Sequence, residues 1–146
     1  MKSLQIKQLS ESATLPTRAH EYDAGLDLYA SESVMIYKDM TRKVPTGIAV
    51  DIPPGYEATI RPRSGKTANT ALRVNIGTID SRFQGELQIT CDCYGSDMFY
   101  RVEKGEKIAQ LVISPIVTPQ LEIVDKFETQ SERGTKGFGS TDEVIP

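Results

Sequence analysis

Apolar residues alternate with polar residues over several short segments of the chain. In residues 86–93 every second side chain from Leu87 to Cys93 is apolar, the pattern of a strand with one buried face. Similar segments, separated by prolines and glycines, predict strands at residues 4–9, 25–30, 33–37, 46–51, 56–61, 73–79, 86–93, 107–116 and 120–126. Residues 66–72 are predicted to form one short helix. Short strands at this spacing are typical of an all-β barrel or sandwich.

The chain has 146 residues, the length of one domain that can bury a core without a disulfide or metal. Residues 128–146 are polar and rich in glycine, and they contain few apolar side chains. We therefore predict a β domain at residues 1–127, followed by a flexible C-terminal arm at residues 128–146.

Charge and composition exclude several classes of function. With 17 basic and 20 acidic residues the net charge is −3, so the chain lacks the basic surface of a general nucleic-acid binder. No apolar run approaches the roughly 20 residues needed to cross a bilayer, so no membrane partner is expected. The chain begins without an apolar secretory segment and has only two cysteines, which predicts a cytoplasmic protein.

Three features that resemble catalytic or metal sites have simpler interpretations. Cys91 and Cys93 lie two apart on a predicted strand, so both face one side and are predicted to be core residues. The single histidine, His20, cannot form a metal cluster and is predicted to have a structural or surface role. Gly65-Lys66-Thr67 resembles the end of a phosphate-binding P-loop, but Ile60 stands where that motif needs a glycine.

Two stretches are candidate phosphate sites. Residues 61–65 place two arginines, Ser64 and Gly65 at the predicted helix start, where backbone N–H groups favour anions. The alternative is a capping serine with solvated arginines, which this segment taken alone favours. Residues 133–141 add two cations, three glycines, three hydroxyls and Phe138; the alternative there is a flexible tail with an incidental phenylalanine. Together the stretches indicate a polyphosphate ligand with a ring attached.

Between these stretches, residues 77–87 are bracketed by glycines and are predicted to form a β-hairpin. Around the bend of such a hairpin Asp80 and Phe83 could converge on one pocket. With no catalytic histidine available, a carboxylate is the natural general base to activate water, and Asp80 is the candidate. The alternative is that Asp80 caps the turn through an Asx hydrogen bond.

Five segments in order resemble the conserved motifs of the homotrimeric dUTPase family, in its Bacillus- or phage-like variant. They are residues 24–30, 62–65, 77–86, 105–111 and 133–141. The resemblance implies a distorted, β-clip-like jelly-roll subunit with one short helix, assembled as a homotrimer with shared active sites. It implies hydrolysis of dUTP to dUMP and pyrophosphate, which limits uracil incorporation into DNA and supplies dUMP for dTMP synthesis.

The resemblance also implies roles for single residues. Asp80 would activate the water that attacks the α-phosphorus, and Mg²⁺ would be held mainly by the triphosphate, with Asp27 acting on it indirectly through water. The expected substrate-binding residues are Arg63, Ser64, Gly65, Asn75, Gly77, Thr78, Ile79, Phe83, Gln110, Arg133, Phe138, Gly139, Ser140 and Thr141.

This chain departs from the family pattern at several positions. Phe83 replaces the usual tyrosine, and Val74 replaces an asparagine, with Asn75 one place later. Tyr94 or Tyr100 could share the stacking role expected of Phe138. The alternatives are a dCTP deaminase-like enzyme of the same fold, for which no separate motif is found, and a regulatory binding protein on this scaffold, which would not need an activated water.

Overall fold

The structure, a computed structural model, describes residues 3–137, which contain ten strands and one helix. The elements are β1 (Gln5–Gln8), β2 (Gly25–Tyr29), β3 (Val34–Tyr37), β4 (Thr41–Asp51), β5 (Tyr56–Pro62), α1 (Ser64–Asn69), β6 (Leu72–Val74), β7 (Gly77–Ile79), β8 (Glu86–Cys93), β9 (Phe99–Val102) and β10 (Lys107–Pro115). The helix in these residues is not long and apolar enough to span a membrane.

Most strands lie in two four-stranded antiparallel sheets. One has the order β1-β4-β8-β6 and the other the order β2-β10-β5-β7, while β3 and β9 form a separate pair. Fully buried side chains from both sheets, including Leu28, Ile60, Leu87 and Leu111, form one apolar core. The prediction of an all-β jelly-roll fold is confirmed.

Strand β8 shows the period-two burial that its sequence predicts. Leu87, Ile89, Cys91 and Cys93 are buried and the residues between them are not. Both thiols are free and part of the core, as predicted. Burial, together with the adjacent Asp92 charge, raises the pKa of Cys91 to about 12, so its thiol stays protonated and unreactive near neutral pH.

One predicted strand and one predicted hairpin differ from the structure. Where one strand is predicted at residues 73–79, the structure has β6 (Leu72–Val74) and β7 (Gly77–Ile79). The Asn75 backbone N–H still donates to the Thr90 carbonyl of β8 at 2.9 Å, and the chain then crosses to the other sheet. Strand β6 pairs with β8, whereas β7 pairs with β5. The predicted hairpin over residues 77–87 is therefore wrong, since β7 and β8 belong to different sheets.

Other boundaries also shift. Strand β4 begins at Thr41, five residues before the predicted start, and β9 was not predicted. Helix α1 occupies Ser64–Asn69 rather than residues 66–72. The predicted strand at residues 120–126 is absent: Leu121 and Ile123 are 97% and 100% exposed, with no neighbouring strand in the described residues to pair with. The domain boundary at residue 127 stays a prediction.

Candidate functional site

A cleft of about 630 Å³ opens where β2, β10, the end of β5 and the start of α1 meet. Strand β10 lies between β2 and β5, so these elements bring distant parts of the sequence to one place. The lining residues are Ala19, Asp23, Ala24, Gly25, Asp27, Arg63, Ser64, Gly65, Lys66, Asn69, Thr70 and Gln110. Five of the predicted site residues are among them: Asp27, Arg63, Ser64, Gly65 and Gln110.

Asp27 is the electrostatic centre of the cleft. It is 9% exposed, and its two carboxylate oxygens lie 3.0 Å from Arg63 Nε and 3.1 Å from Lys107 Nζ. The hydrogen bond to Asp27 raises the pKa of Lys107 above its ordinary value. This mostly buried carboxylate has a cation on each oxygen, and it holds the Arg63 guanidinium in position at the cleft.

Gln110 is held at the cleft by its backbone register and by one close approach. It pairs with Asp27 on one side and with Arg61 on the other, and its Nε2 donates to the Pro62 carbonyl at 3.0 Å. A Cβ atom on Gly25 would lie 2.1 Å from Gln110 Oε1. Glycine at position 25 is therefore what allows the amide to occupy this place.

Ser64 is not the helix cap. The N-cap of α1 is Arg63, without a side-chain capping hydrogen bond, and Ser64 is the first helical residue. Ser64 and Gly65 are exposed at the cleft, and a Cβ on Gly65 would meet no atom within 4 Å. The capping alternative is therefore wrong, and Ser64 and Gly65 both line a space that a ligand can enter.

Lys66 contributes a second cation to the cleft wall and was missed as a site residue. It forms an ion pair with Glu106, which also accepts a hydrogen bond from the Tyr100 hydroxyl at 2.6 Å. Burial alone would raise the pKa of Glu106, but hydrogen bonds from Lys66, Tyr100 and the Glu103 amide outweigh burial and lower this pKa. The Tyr100 hydroxyl therefore belongs to this cluster, and a stacking role for its ring stays a prediction.

Asp80 and Phe83 lie at the two ends of one tight turn after β7. The Phe83 amide donates to the Asp80 carbonyl at 3.2 Å, while the Asp80 side chain is exposed and has no hydrogen-bond partner within residues 3–137. The Asx-cap alternative is therefore wrong. The Phe83 ring is 46% exposed and lies over Gly85, where an added Cβ would be 2.6 Å from Cζ of the ring.

The turn and the cleft are far apart in one chain. Ile79 pairs with Ala58, so Asp80 lies beside Glu57 of β5. Arg63 is six residues after Glu57, at the junction between β5 and α1. At about 3.3 Å per residue, the catalytic candidate is roughly 20 Å from the cleft. The structure of one chain thus divides the predicted site residues between two separate places.

Four other predicted residues lie in or just before β7, the strand that leads into the turn. Gly77, Thr78 and Ile79 form β7, against Ile60, Thr59 and Ala58 of β5. Asn75 precedes β7 and donates from its side-chain amide to Asp92 at 2.9 Å. Tyr94 is exposed, with the Arg73 guanidinium 5.0 Å from its ring centre.

The described part of the arm, residues 128–137, does not line the cleft. Arg133 is exposed, and its Nε donates to the Lys136 carbonyl 2.9 Å away. Phe138, Gly139, Ser140 and Thr141 lie outside the described residues. His20 is exposed, as its surface interpretation predicts. Within residues 3–137 no cluster of three or more His, Cys, Asp or Glu side chains could hold a metal ion.

Comparison with known proteins agrees with this geometry. The dUTPase family matches residues 11–142. The chain is 43% identical over 143 residues to the deoxyuridine 5'-triphosphate nucleotidohydrolase of Clostridium acetobutylicum, covering 97% of each chain. Its structure resembles the Staphylococcus bacteriophage 80alpha dUTPase with dUPNHPP, a dUTP analogue, at a TM-score of 0.90 and 37% identity over 97% of this chain and 99% of that one.

A second similar structure is that of a dUTPase described with a bound metal ion. A single-residue mutant of the dUTPase from phage phi11 of S. aureus, described with the coordination of a structural Mg(II) ion, is similar at a TM-score of 0.82 and 33% identity. The likeness covers 88% of this chain and 100% of that one.

Proposed function

The chain belongs to the dUTPase family, and on that premise we propose that it hydrolyses dUTP to dUMP and pyrophosphate. The observation that supports this best is that the chain has both a cleft lined by cations and a carboxylate, that of Asp80, which is exposed and has no hydrogen-bond partner within residues 3–137. The first can bind a triphosphate and the second can accept a proton from water. The reaction would limit uracil incorporation into DNA and supply dUMP for dTMP synthesis.

The cleft residues would bind the triphosphate. Arg63 offers guanidinium N–H donors that Asp27 does not use, Ser64 offers a hydroxyl and Gly65 offers a backbone approach without a Cβ. Gln110 adds an amide beside them. These groups would orient the α-phosphorus and stabilise the negative charge that develops on the leaving pyrophosphate.

Asp80 would act as the general base. It takes a proton from a water molecule as the water oxygen attacks the α-phosphorus. The bond from that phosphorus to the oxygen that bridges to the β-phosphorus then breaks, and pyrophosphate leaves with the electron pair. Exposure and the lack of a side-chain partner leave the Asp80 carboxylate available as an acceptor.

We propose that the chain forms a homotrimer in which each active site combines residues from different chains. A separation of roughly 20 Å between Asp80 and the cleft prevents one chain from placing both on one α-phosphorus. Leu121, Ile123 and Phe127 are also 97%, 100% and 84% exposed, an apolar surface that a neighbouring chain would cover.

The cleft residues fit a magnesium ion carried by the triphosphate. Each Asp27 oxygen already has a cation partner, so Asp27 would contact the ion through water. When bound, Mg²⁺ neutralises charge on the phosphate oxygens and so favours departure of pyrophosphate. The binding of phosphate and uracil by Arg133, Phe138, Gly139, Ser140 and Thr141 of the arm, and of uracil by Asn75 and β7, stays part of this proposal. So does a cytoplasmic location, which the two free cysteines fit.

Mixing two inactive variants tests the shared site. Asp80→Asn keeps the shape of the carboxylate but cannot accept the proton, so it should lose about 10²–10⁴ in turnover and still bind dUPNHPP. Arg63→Ala should lose binding in the cleft. When the two variants are unfolded, mixed in equal amounts and refolded, about one quarter of the sites should combine an intact Asp80 with an intact Arg63.

Recovery of about one quarter of wild-type turnover supports shared sites. No recovery would mean that one chain supplies both residues. Assaying the wild type with dUTP, dCTP and UTP separates the alternatives, because deamination would release ammonia and a binding protein would release no product.

A further inference from the structure

The turn that carries Asp80 and Phe83 crosses from one sheet to the other, because it follows β7 and leads through Gln84 and Gly85 into β8. Strand β7 pairs with β5, and β8 pairs with β4. Within the turn, the Arg82 amide donates to the carbonyl of buried Ile52 at 2.9 Å, just after β4 ends. Arg82 therefore ties the turn to the end of β4.

The Arg82 side chain forms an ion pair at the same point. Its NH1 lies 2.9 Å from Asp51 Oδ2 at the end of β4. The Asp51 side chain is 21% exposed, and its other oxygen is buried without a hydrogen-bond partner in the described residues. Arg82 is thus the ion-pair partner that compensates this carboxylate within residues 3–137, and removing it would leave a poorly solvated charge.

Arg82 also has an unusual backbone. Its φ of 66° places it in the left-handed region, one of two non-glycine residues there in the described part of the chain. Such a conformation is unfavourable for a residue with a Cβ and persists only where surrounding contacts impose it. The hydrogen bond to Ile52 and the ion pair with Asp51 are those contacts. By fixing the backbone of Arg82, they fix the positions of Asp80 and Phe83 on either side of it.

We propose that Arg82 and Asp51 form a positioning pair for the hydrolytic reaction. Through the main chain, the pair fixes the Asp80 carboxylate and the Phe83 ring relative to the core, while neither of its side chains touches the triphosphate. This inference rests on the proposed function, because it assigns the task of placing the general base. A displacement of about 1 Å at a catalytic group can cost on the order of 10²-fold in rate.

The test is a double-mutant cycle in kcat, in the full-length protein. Arg82→Asn removes the charge but tolerates a positive φ, and Asp51→Ala removes the carboxylate. Each should lower kcat about tenfold, and the double variant should be no worse than either single one. The Kd for dUPNHPP should change by less than about threefold, because the triphosphate ligands lie in the cleft. Arg82→Lys keeps the charge and should restore most of the turnover.

Arg101→Asn is the matched control. Arg101 is 59% exposed, like Arg82, and pairs with Glu103 at 2.8 Å, but it lies on β9 away from the turn. It should have the turnover of the wild type. Melting temperatures of all variants identify any general loss of stability.

Turnover of Arg82→Asn within about twofold of the wild type would overturn the positioning role, and so would losses that multiply in the double variant. A loss of analogue binding in parallel with a fall in melting temperature would make the pair purely structural. The wild type and Asp80→Asn in the same assay separate the two levels. A wild type that does not hydrolyse dUTP would overturn the proposed function, and an active Asp80→Asn would remove Asp80 as the general base. If the wild type is active, Asp80→Asn is inactive and Arg82→Asn is active, the positioning role alone fails.

Discussion

Individual atoms decide the shape of the cleft. The side chain of Gln110 can lie beside Asp27 only because position 25 carries no Cβ, and Arg63 and Lys107 converge because Asp27 offers one oxygen to each. These contacts join residues from β2, from β10 and from the start of α1. Which residue is tolerated at one position of the cleft therefore depends on side chains that are distant in the sequence.

Phe83→Ala should reduce the preference for dUTP over UTP. The family resemblance places the ring against deoxyribose, and the structure holds it 46% exposed over Gly85. An apolar ring offers a 2′-hydroxyl no partner, and an unpaired buried hydroxyl costs about 1–3 kcal/mol. The ratio of kcat/KM for the two nucleotides measures the effect. Phe99→Ala, at 51% exposed, is the control, and an unchanged ratio in Phe83→Ala would place sugar selection elsewhere.

Glu106→Gln should show a pH-dependent loss of stability. Hydrogen bonds from Lys66 and Tyr100 outweigh burial and lower the folded-state pKa of Glu106. Its stabilisation is therefore fully present above the unfolded pKa of about 4.3 and is lost as pH falls through the lower folded value. Urea unfolding should show a deficit of about 1–3 kcal/mol at neutral pH.

That deficit should shrink in acid, below the folded-state pKa. Glu103→Gln is the control, since its ion pair with Arg101 is 58% exposed. A deficit of equal size at neutral and acid pH would show that the hydrogen-bond geometry, rather than the charge, stabilises the Lys66–Glu106–Tyr100 cluster.

The secondary-structure elements separate the cleft from Asp80, the proposed general base. Strand β5 runs directly into α1 and delivers Arg63 and Ser64 to the cleft, while β7 runs antiparallel to β5 and delivers Asp80 to the other end. The C-terminal arm is different again: residues 128–137 are exposed throughout and contain no strand. A segment without packing of its own can order only when a ligand or another chain supplies contacts.

Deleting residues 128–146 should leave a folded core and reduce turnover by about 10²-fold, because the arm carries Arg133, Phe138 and Ser140. Residues 128–137 cover none of the core, so the melting temperature should stay close to that of the full chain. Deleting only residues 142–146 is the control and should preserve most of the activity. Full turnover after the longer deletion would remove the arm from the mechanism.

The proposed trimer makes the whole assembly, rather than one chain, the unit that carries the site. One chain separates the cleft from Asp80 and exposes an apolar segment, which is what a site shared between chains requires. Light scattering at assay concentration should give about three times the 16.1 kDa subunit mass. The Asp80→Asn variant should have the same mass, since its side chain is exposed and unpartnered. An active monomer would contradict the shared-site architecture.

Local patterns in the sequence predicted much of this molecule. Period-two alternation identified β8 and its buried cysteines, and five short motifs identified the family and the residues at the cleft and the turn. These features could be predicted because side-chain alternation and turn chemistry act over a few neighbouring residues.

Tertiary structure alone decided which sheet each strand joins. It assigned β6 and β7 to different sheets, set Gln110 against Gly25, and joined Arg82 to Asp51 across 31 positions of sequence. It also gathered Lys66, Tyr100 and Glu106 into one cluster. No local pattern encodes such contacts, because strand pairing and ion pairing depend on the free energy of the whole packed core, in which partners distant in sequence compete for the same place.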